Sequence, residues 1–151
     1  MITIYTDGAA KGNPGPGGYG VVMKFRQHRK ELSEGFRLTT NNRMELLAVI
    51  KALEEIKVNG IPVSIYSDSK YVVDAIEKGW LWGWQKKGFK DKKNPDLWRR
   101  YIPLHVKYKP KLHWVKGHAG NPENERCDQL AVEAAERGNL PPDGAYESSI
   151  S

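Results

Sequence analysis

Residues 7–20 read DGAAKGNPGPGGYG, and the element into which these glycines lead decides the fold. Gly15, Gly17 and Gly20 spell G-x-G-x-x-G. A dinucleotide fingerprint needs its glycines to lead from a strand into a helix N-terminus, with an acid about twenty residues further on. Here Pro14 and Pro16 interrupt the spelling, and the β-rich Tyr19–Met23 comes next in place of a helix. The Lys-Ser/Thr pair of a phosphate-binding loop is also missing. Gly12 to Gly20 therefore reads as a tight turn and a close backbone approach, with Asn13 at its tip. The acid in front of it is Asp7.

Ile2–Thr6 alternates as a strand, with Ile2, Ile4 and Thr6 on one face and Thr3, Tyr5 and Asp7 on the other. Tyr19–Phe25 and Glu31–Thr39 read as two more strands. Asn42–Lys57 reads as a helix rich in Leu, Ala and Glu, closed by Gly60 and Pro62. Then come a strand at Pro62–Asp68, a helix at Ser69–Lys78, an aromatic and basic excursion over 80–94, a helix from Asp96 to about His105, a strand at Lys111–Val115 and a helix at Pro122–Arg137. Residues 138–151 lack periodicity and are expected to form a flexible C-terminal tail beyond a domain of residues 1–137. This order implies an α/β layer in which an antiparallel group feeds parallel strands.

A chain of 151 residues suits one domain with its own core. The single Cys127 excludes an internal disulfide and fits a reducing compartment. No apolar run approaches membrane-span length and the N-terminus is not a signal peptide, so a cytoplasmic protein without a membrane partner is expected. The net charge of +6 is local: Lys78–Lys111 holds eleven Lys or Arg against two Asp, leaving the rest acidic. Four of the five Trp (Trp80, Trp82, Trp84, Trp98) share that stretch. A lysine-rich loop over a Trp-filled core would account for either feature. Cations and rings together favour a nucleic-acid backbone.

Four acids occupy unusual places. Asp7 and Asp68 each end a strand. Glu45 shares a helical stripe with Ala48, Val49, Ala52 and Ile56, and Asp128 shares one with Ala131, Val132 and Ala135. Each has an ordinary alternative: a turn for Asp7, a helix cap for Asp68, a capping box with Asn42 for Glu45. Packed together, the four would repel and have raised pKa values unless a cation sat between them. A set of carboxylates without Cys or His suits Mg²⁺, with Mn²⁺ as a substitute.

The segments YTDGAAKGNPGPGGYG, TTNNRMELLAVIKAL, YSDSKYV, WQKKGFK and WVKGHAGNPENERCDQLA resemble bacterial-type ribonuclease H of the type 1 group, from Ile2 to about Arg137. The resemblance implies a ribonuclease H-like α/β fold, a mixed five-stranded sheet with three antiparallel N-terminal strands and flanking helices. It also implies an endonuclease that cuts the RNA strand of an RNA–DNA hybrid with two Mg²⁺ ions, leaving 5′-phosphate and 3′-hydroxyl ends. Asp7, Glu45, Asp68 and Asp128 match the family's metal-binding carboxylates, with Asp7 bridging both ions. His118 matches a residue that transfers protons or helps product leave. His28, His105 and His113 have no such match.

The same resemblance implies the hybrid contacts. Asn13, Asn41, Asn42 and Glu45 match groups that read 2′-hydroxyls. Trp80 and Trp84, with Phe89 as a third, match rings packed on deoxyribose. Thr40, Arg43 and Asn94 match a DNA-phosphate pocket, while Lys86, Lys87, Lys90, Lys92 and Lys93 supply salt-dependent affinity. Position 70 is Lys where relatives often carry a base-reading Gln, so a phosphate contact or a solvent-facing charge is expected there. The excursion is a few residues shorter than in well-known relatives. A monomer is expected. The rival readings are an integrase-like enzyme acting on DNA ends and a binding module that has lost catalysis. The first usually carries further DNA-binding domains, and the presence of all four acids and His118 argues against the second.

Overall fold

Strand β1 (Ile2–Ala10) is the spine of the molecule, because it pairs antiparallel on one side and parallel on the other. A computed structural model of the chain describes residues 1–117 and 119–151. The alternation read from sequence holds: Ile2 and Ile4 are buried on one face, and Tyr5 on the other packs against a second, smaller cluster. Strands β2 (Gly15–Phe25) and β3 (His28–Thr39) continue antiparallel. Strands β4 (Val63–Ser67) and β5 (Lys111–Trp114) add in parallel, giving the order β3-β2-β1-β4-β5. This is the mixed five-stranded sheet expected from the resemblance.

Helix α1 (Asn41–Glu55) lies on the Ile2/Ile4 face, buries nearly all of its apolar residues, and is joined there by α2 (Lys70–Glu77) and α4 (Pro95–Tyr108). Trp98 and Tyr101 of α4 are fully buried in this core. Helix α5 (Pro122–Glu136) covers β1, β2 and β3 on the opposite face, where Val22, Cys127 and Leu130 form the second cluster.

The glycines open the space for both helices. A Cβ placed on Gly8 would lie 2.5 Å from the Met44 carbonyl carbon in α1. On β2, a Cβ on Gly18 would lie 2.6 Å from the Ala131 carbonyl oxygen, and one on Gly20 2.7 Å from Leu130 Cβ in α5. No side chain fits at such distances, so helix backbone rests directly on strand backbone.

Three expectations change. The turn is confined to 11–14, and Gly15 to Gly20 belong to β2 itself, so most of these glycines serve packing. The excursion contains a helix, α3 (Trp80–Lys86), because Leu81 is fully buried and Trp82 and Trp84 pack against the core. The segment read as an aperiodic tail carries helix α6 (Gly144–Ile150), tied down by polar contacts that leave no hydrophobic period. Asp143 caps α6, accepts from Thr39 Oγ1 at 2.7 Å and pairs with Arg43, while Arg37 pairs with Glu147. Among the described residues, no helix is long and apolar enough to cross a membrane.

Replacing Gly20 by Ala should destabilise the protein by about 1–3 kcal/mol in urea denaturation, the usual cost of overpacking. Gly83→Ala in α3, where an added Cβ meets nothing within 4 Å, should be neutral or stabilising by up to about 1 kcal/mol. Equal effects at the two positions would refute the close-approach role of Gly20.

Candidate active site

Thr6 of β1 is registered against Ser67 of β4, so the next residue of each chain segment, Asp7 and Asp68, leaves the parallel pair at the same level. Carboxyl ends of parallel strands are where α/β sheets open a crevice. Helix α1 supplies Glu45 to that crevice because Gly8 lets its first turn sit on β1. One carboxylate oxygen each from Asp7, Glu45 and Asp68 lie within 4.8 Å of one another. Helix α5 brings Asp128 from the other face, and it lines both a cleft of about 380 Å³ with these three acids and a small void with Asp7 and Asp68.

The capping alternatives for Glu45 and Asp68 fail on geometry. Thr40 is the N-cap of α1, its Oγ1 accepting from Arg43 N–H at 3.2 Å, so Glu45 has no capping role. Ser69 caps α2 through the Val72 N–H, which frees Asp68. Asp7 Oδ1 accepts from the Gly8 N–H at 2.8 Å. Glu45 Oε1 and Asp68 Oδ1 are buried without any hydrogen-bond partner. Orphaned carboxylate oxygens facing one another are costly, and an all-oxygen donor set of this kind fits a hard divalent cation.

The electrostatics agree. Burial, and then the charge of Asp68, pushes Asp7 up to about 8 against the opposing Gly8 hydrogen bond. Burial, followed by the charges of Asp7 and Asp68, holds Glu45 well above the usual carboxylate range. For a raised carboxyl the folded state favours the proton. The associated stability is complete at low pH and is lost as pH rises through about 8.

Sequence reasoning missed Asn124 and Tyr71. Asn124 lines the void beside Asp7, Asp68 and Asp128 with its Oδ1 buried and unpartnered. Its position four residues before Asp128 on one helix face was the available signal. Lys70 and Tyr71 line the acid cleft from the start of α2. His118 lies outside the described residues.

The expected hybrid contacts divide. Asn41 and Asn42 line the acid cleft, and Asn13 Oδ1 accepts from the Asn41 N–H at 2.9 Å, tying the β1–β2 turn to α1. Asn13, Thr40, Asn42, Arg43 and Asn94 line a second cleft of about 660 Å³ with Lys92, Lys93 and Arg99, walled by α6. Arg43, expected in a DNA-phosphate pocket, lines this cleft with its guanidinium already paired. It is 4% exposed, and its guanidinium donates to Asp96 at 2.9 and 2.8 Å and to Asp143 at 2.7 and 3.1 Å. Two carboxylates already consume its charge. Asn94 is likewise engaged, accepting from Arg43 and donating to Tyr71 Oη.

Phe89 also departs from expectation, at 6% exposure within the core, whereas Trp80 is 48% exposed. Trp84 is half-buried against Trp98, with Lys92 Nζ 5.1 Å from its ring centroid. Lys86, Lys87 and Lys90 are exposed around α3 and the adjoining turn.

A mixed sheet with acids gathered where its parallel pairing ends defines a class of α/β protein whose crevice could hold a divalent cation. Known proteins narrow that class. The sequence model of the RNase H family matches residues 1–136. A ribonuclease H of Desulforamulus reducens is 62% identical over 147 residues, covering 94% of this chain and 92% of the relative. One from Trichodesmium erythraeum is 54% identical, covering 97% and 96%. Among solved structures, LC9-RNase H1, a type 1 RNase H, superposes with a TM-score of 0.79 at 31% identity, covering 99% of this chain and 81% of that one. LC11-RNase H1, solved in complex with an RNA/DNA hybrid, gives 0.66 at 27% identity with full coverage of both chains. The chain belongs to the ribonuclease H family.

In the metal-free protein at pH 8, Asp7→Asn should raise Tm by about 3–6 °C, the response to about 1–2 kcal/mol in a domain of this size. At pH 5 the gain should shrink, because Asp7 is already protonated in the folded state. Thermal melts in EDTA at both values measure this, and a pH-independent gain would contradict the buried-charge account.

Proposed function

We propose that this chain is an endonuclease that hydrolyses the RNA strand of RNA–DNA hybrids, giving 5′-phosphate and 3′-hydroxyl ends. One observation carries the reading: carboxylates from β1, the end of β4 and α1 converge within 4.8 Å, and α5 adds Asp128, in a chain of the ribonuclease H family. Asp7, Glu45, Asp68 and Asp128 would hold two divalent ions, Mg²⁺ by preference, with Asp7 shared between them. When bound, such ions lower the pKa of an attacking water and stabilise the leaving oxygen of a phosphodiester. Titration of Asp7 and Glu45 then sets the pH at which the carboxylates are free to bind them.

The chain's own residues orient the hybrid. Asn41 and Asn42 stand beside the acids, where amide groups can meet the 2′-hydroxyls that distinguish RNA from DNA. Trp80 and Trp84 offer flat surfaces for deoxyribose, where a 2′-hydroxyl would be desolvated without a partner. With Arg43 spent on Asp96 and Asp143, the cations lining the second cleft for a DNA-strand phosphate are Lys92, Lys93 and Arg99. Lys86, Lys87 and Lys90 add sequence-independent attraction. His118 takes the role of moving a proton or easing product release. The same reading has the chain acting as a monomer in the cytoplasm.

A labelled hybrid should be cut in Mg²⁺ and left intact in EDTA, with little cutting of double-stranded RNA or DNA. Asp7→Asn should lose turnover by at least about 10³-fold, the scale on which catalytic groups act, while still binding the hybrid. Equal cleavage of plain DNA would sink the assignment. Changing Lys86, Lys87 and Lys90 together to Ala should lower the slope of log affinity against log salt by about 2, near the value for lost phosphate contacts. Binding titrations at several salt concentrations read this directly, and an unchanged slope would remove these lysines from the substrate path.

A further inference from the structure

Lys70 stands where a cation is hard to explain by stability. It is the first residue of α2, immediately after the Ser69 cap, and a positive charge in the first turn opposes the helix dipole. It also lines the cleft formed by Asp7, Glu45, Asp68 and Asp128, yet it forms no ion pair with any of them among the described residues. Its ammonium is held elsewhere. Lys70 Nζ sits 4.8 Å from the ring centroid of Trp114, a cation–π rest that keeps the charge at the rim of the acid cluster.

Trp114 is itself anchored to the site. It ends β5, is 45% exposed, and its indole N–H donates to the backbone carbonyl of Asp68 at 3.1 Å. The pair Lys70–Trp114 is thus locked to a strand end that carries a cluster carboxylate. An ammonium resting on an exposed indole keeps its three N–H donors for whatever enters the cleft.

We infer that Lys70, steered by Trp114, is a substrate-positioning residue that grips a backbone phosphate of the cleaved strand, next to the phosphate presented to the carboxylates. This rests on the function proposed above. The electrostatic logic is direct. The cleft is lined by four acids and must admit a polyanion, so a fixed positive charge at its edge offsets part of the repulsion along the entry path. An ammonium is a point charge with rotatable donors, suited to a phosphate and poor at reading a base edge. The indole underneath holds the side chain in register without neutralising it, which a carboxylate partner would do.

The test compares Lys70→Gln, Lys70→Arg and Trp114→Leu with the unmodified chain on one labelled hybrid. Cleavage kinetics are measured in Mg²⁺, and equilibrium binding is measured across salt concentrations with Asp7→Asn added to each protein. Lys70→Gln should raise KM and the hybrid Kd about 3–10-fold with kcat nearly unchanged, and lower the salt slope by about one phosphate contact. Lys70→Arg should keep the slope, and Trp114→Leu should shift KM in the same direction by a smaller factor. The Tm of Lys70→Gln should hold or rise, because the change removes a cation from a helix N-terminus. An unaltered KM and slope in Lys70→Gln would overturn the inference, as would equal losses in Lys70→Arg with a lowered Tm. A changed cleavage pattern at constant salt slope would put the ammonium on base edges and overturn it as well. If the unmodified chain neither binds nor cuts the hybrid, the proposed function itself falls.

Discussion

Backbone-to-backbone contact at glycine is the constraint on which the rest of this molecule depends. Gly8 lets the first turn of α1 rest on β1, and Gly18 and Gly20 let α5 rest on β2 from the other side. A helix packed on a strand through ordinary side chains would stand several ångströms further off, and an acid on it could not reach a strand-end carboxylate. With the glycines in place, Glu45 and Asp128 arrive at Asp7 from opposite faces of the sheet. The parallel pairing of β1 with β4 brings Asp68 alongside. The acid cluster is therefore a consequence of close packing in four elements, each positioned by a different contact.

That convergence is electrostatically costly, and the structure handles its charges in two ways. In the acid cleft the cost is left standing: carboxylate oxygens lack partners, and burial and mutual repulsion hold Asp7 and Glu45 above the usual carboxylate range. Around Arg43 the opposite holds. A buried guanidinium is matched by Asp96 and Asp143, with Thr39 Oγ1 donating to Asp143 as well. An unsatisfied buried charge makes a functional-site candidate, and a satisfied one is the usual form of a structural joint. By this criterion Arg43 belongs to the scaffold, although it lines a cleft with three other cations. The joint also ties helix α6 to the sheet domain, since Asp143 is at once the partner of Arg43 and the cap of α6.

The range over which each signal acts sets how much of it was legible in the sequence. The strands, α1 and α5 announce themselves through local alternation and apolar stripes, and the acids stand out as polar residues interrupting those stripes. Helix α3 was hidden because WLWGWQK has no polar face to set against its rings; burial of Leu81 and the packing of Trp82 and Trp84 make it helical. Helix α6 was hidden because a carboxylate a hundred residues from its arginine holds it. Phe89, expected on the surface among lysines, turned inward, since an aromatic ring gains more from the core than from a basic turn.

The glycine-rich opening shows the division most clearly. From sequence alone, the prolines and the β-rich continuation exclude a nucleotide cradle, and the motifs taken together point to a ribonuclease H. The four carboxylates, the basic stretch and the Lys at position 70 are also readable there, because residue type and spacing are properties of the chain. Tertiary structure alone decided that these glycines carry a helix, that Arg43 is spent on two acids, and that Lys70 rests on Trp114 beside the cluster. Those outcomes depend on distances between residues far apart in the chain, and charge pairing and close packing act through distance.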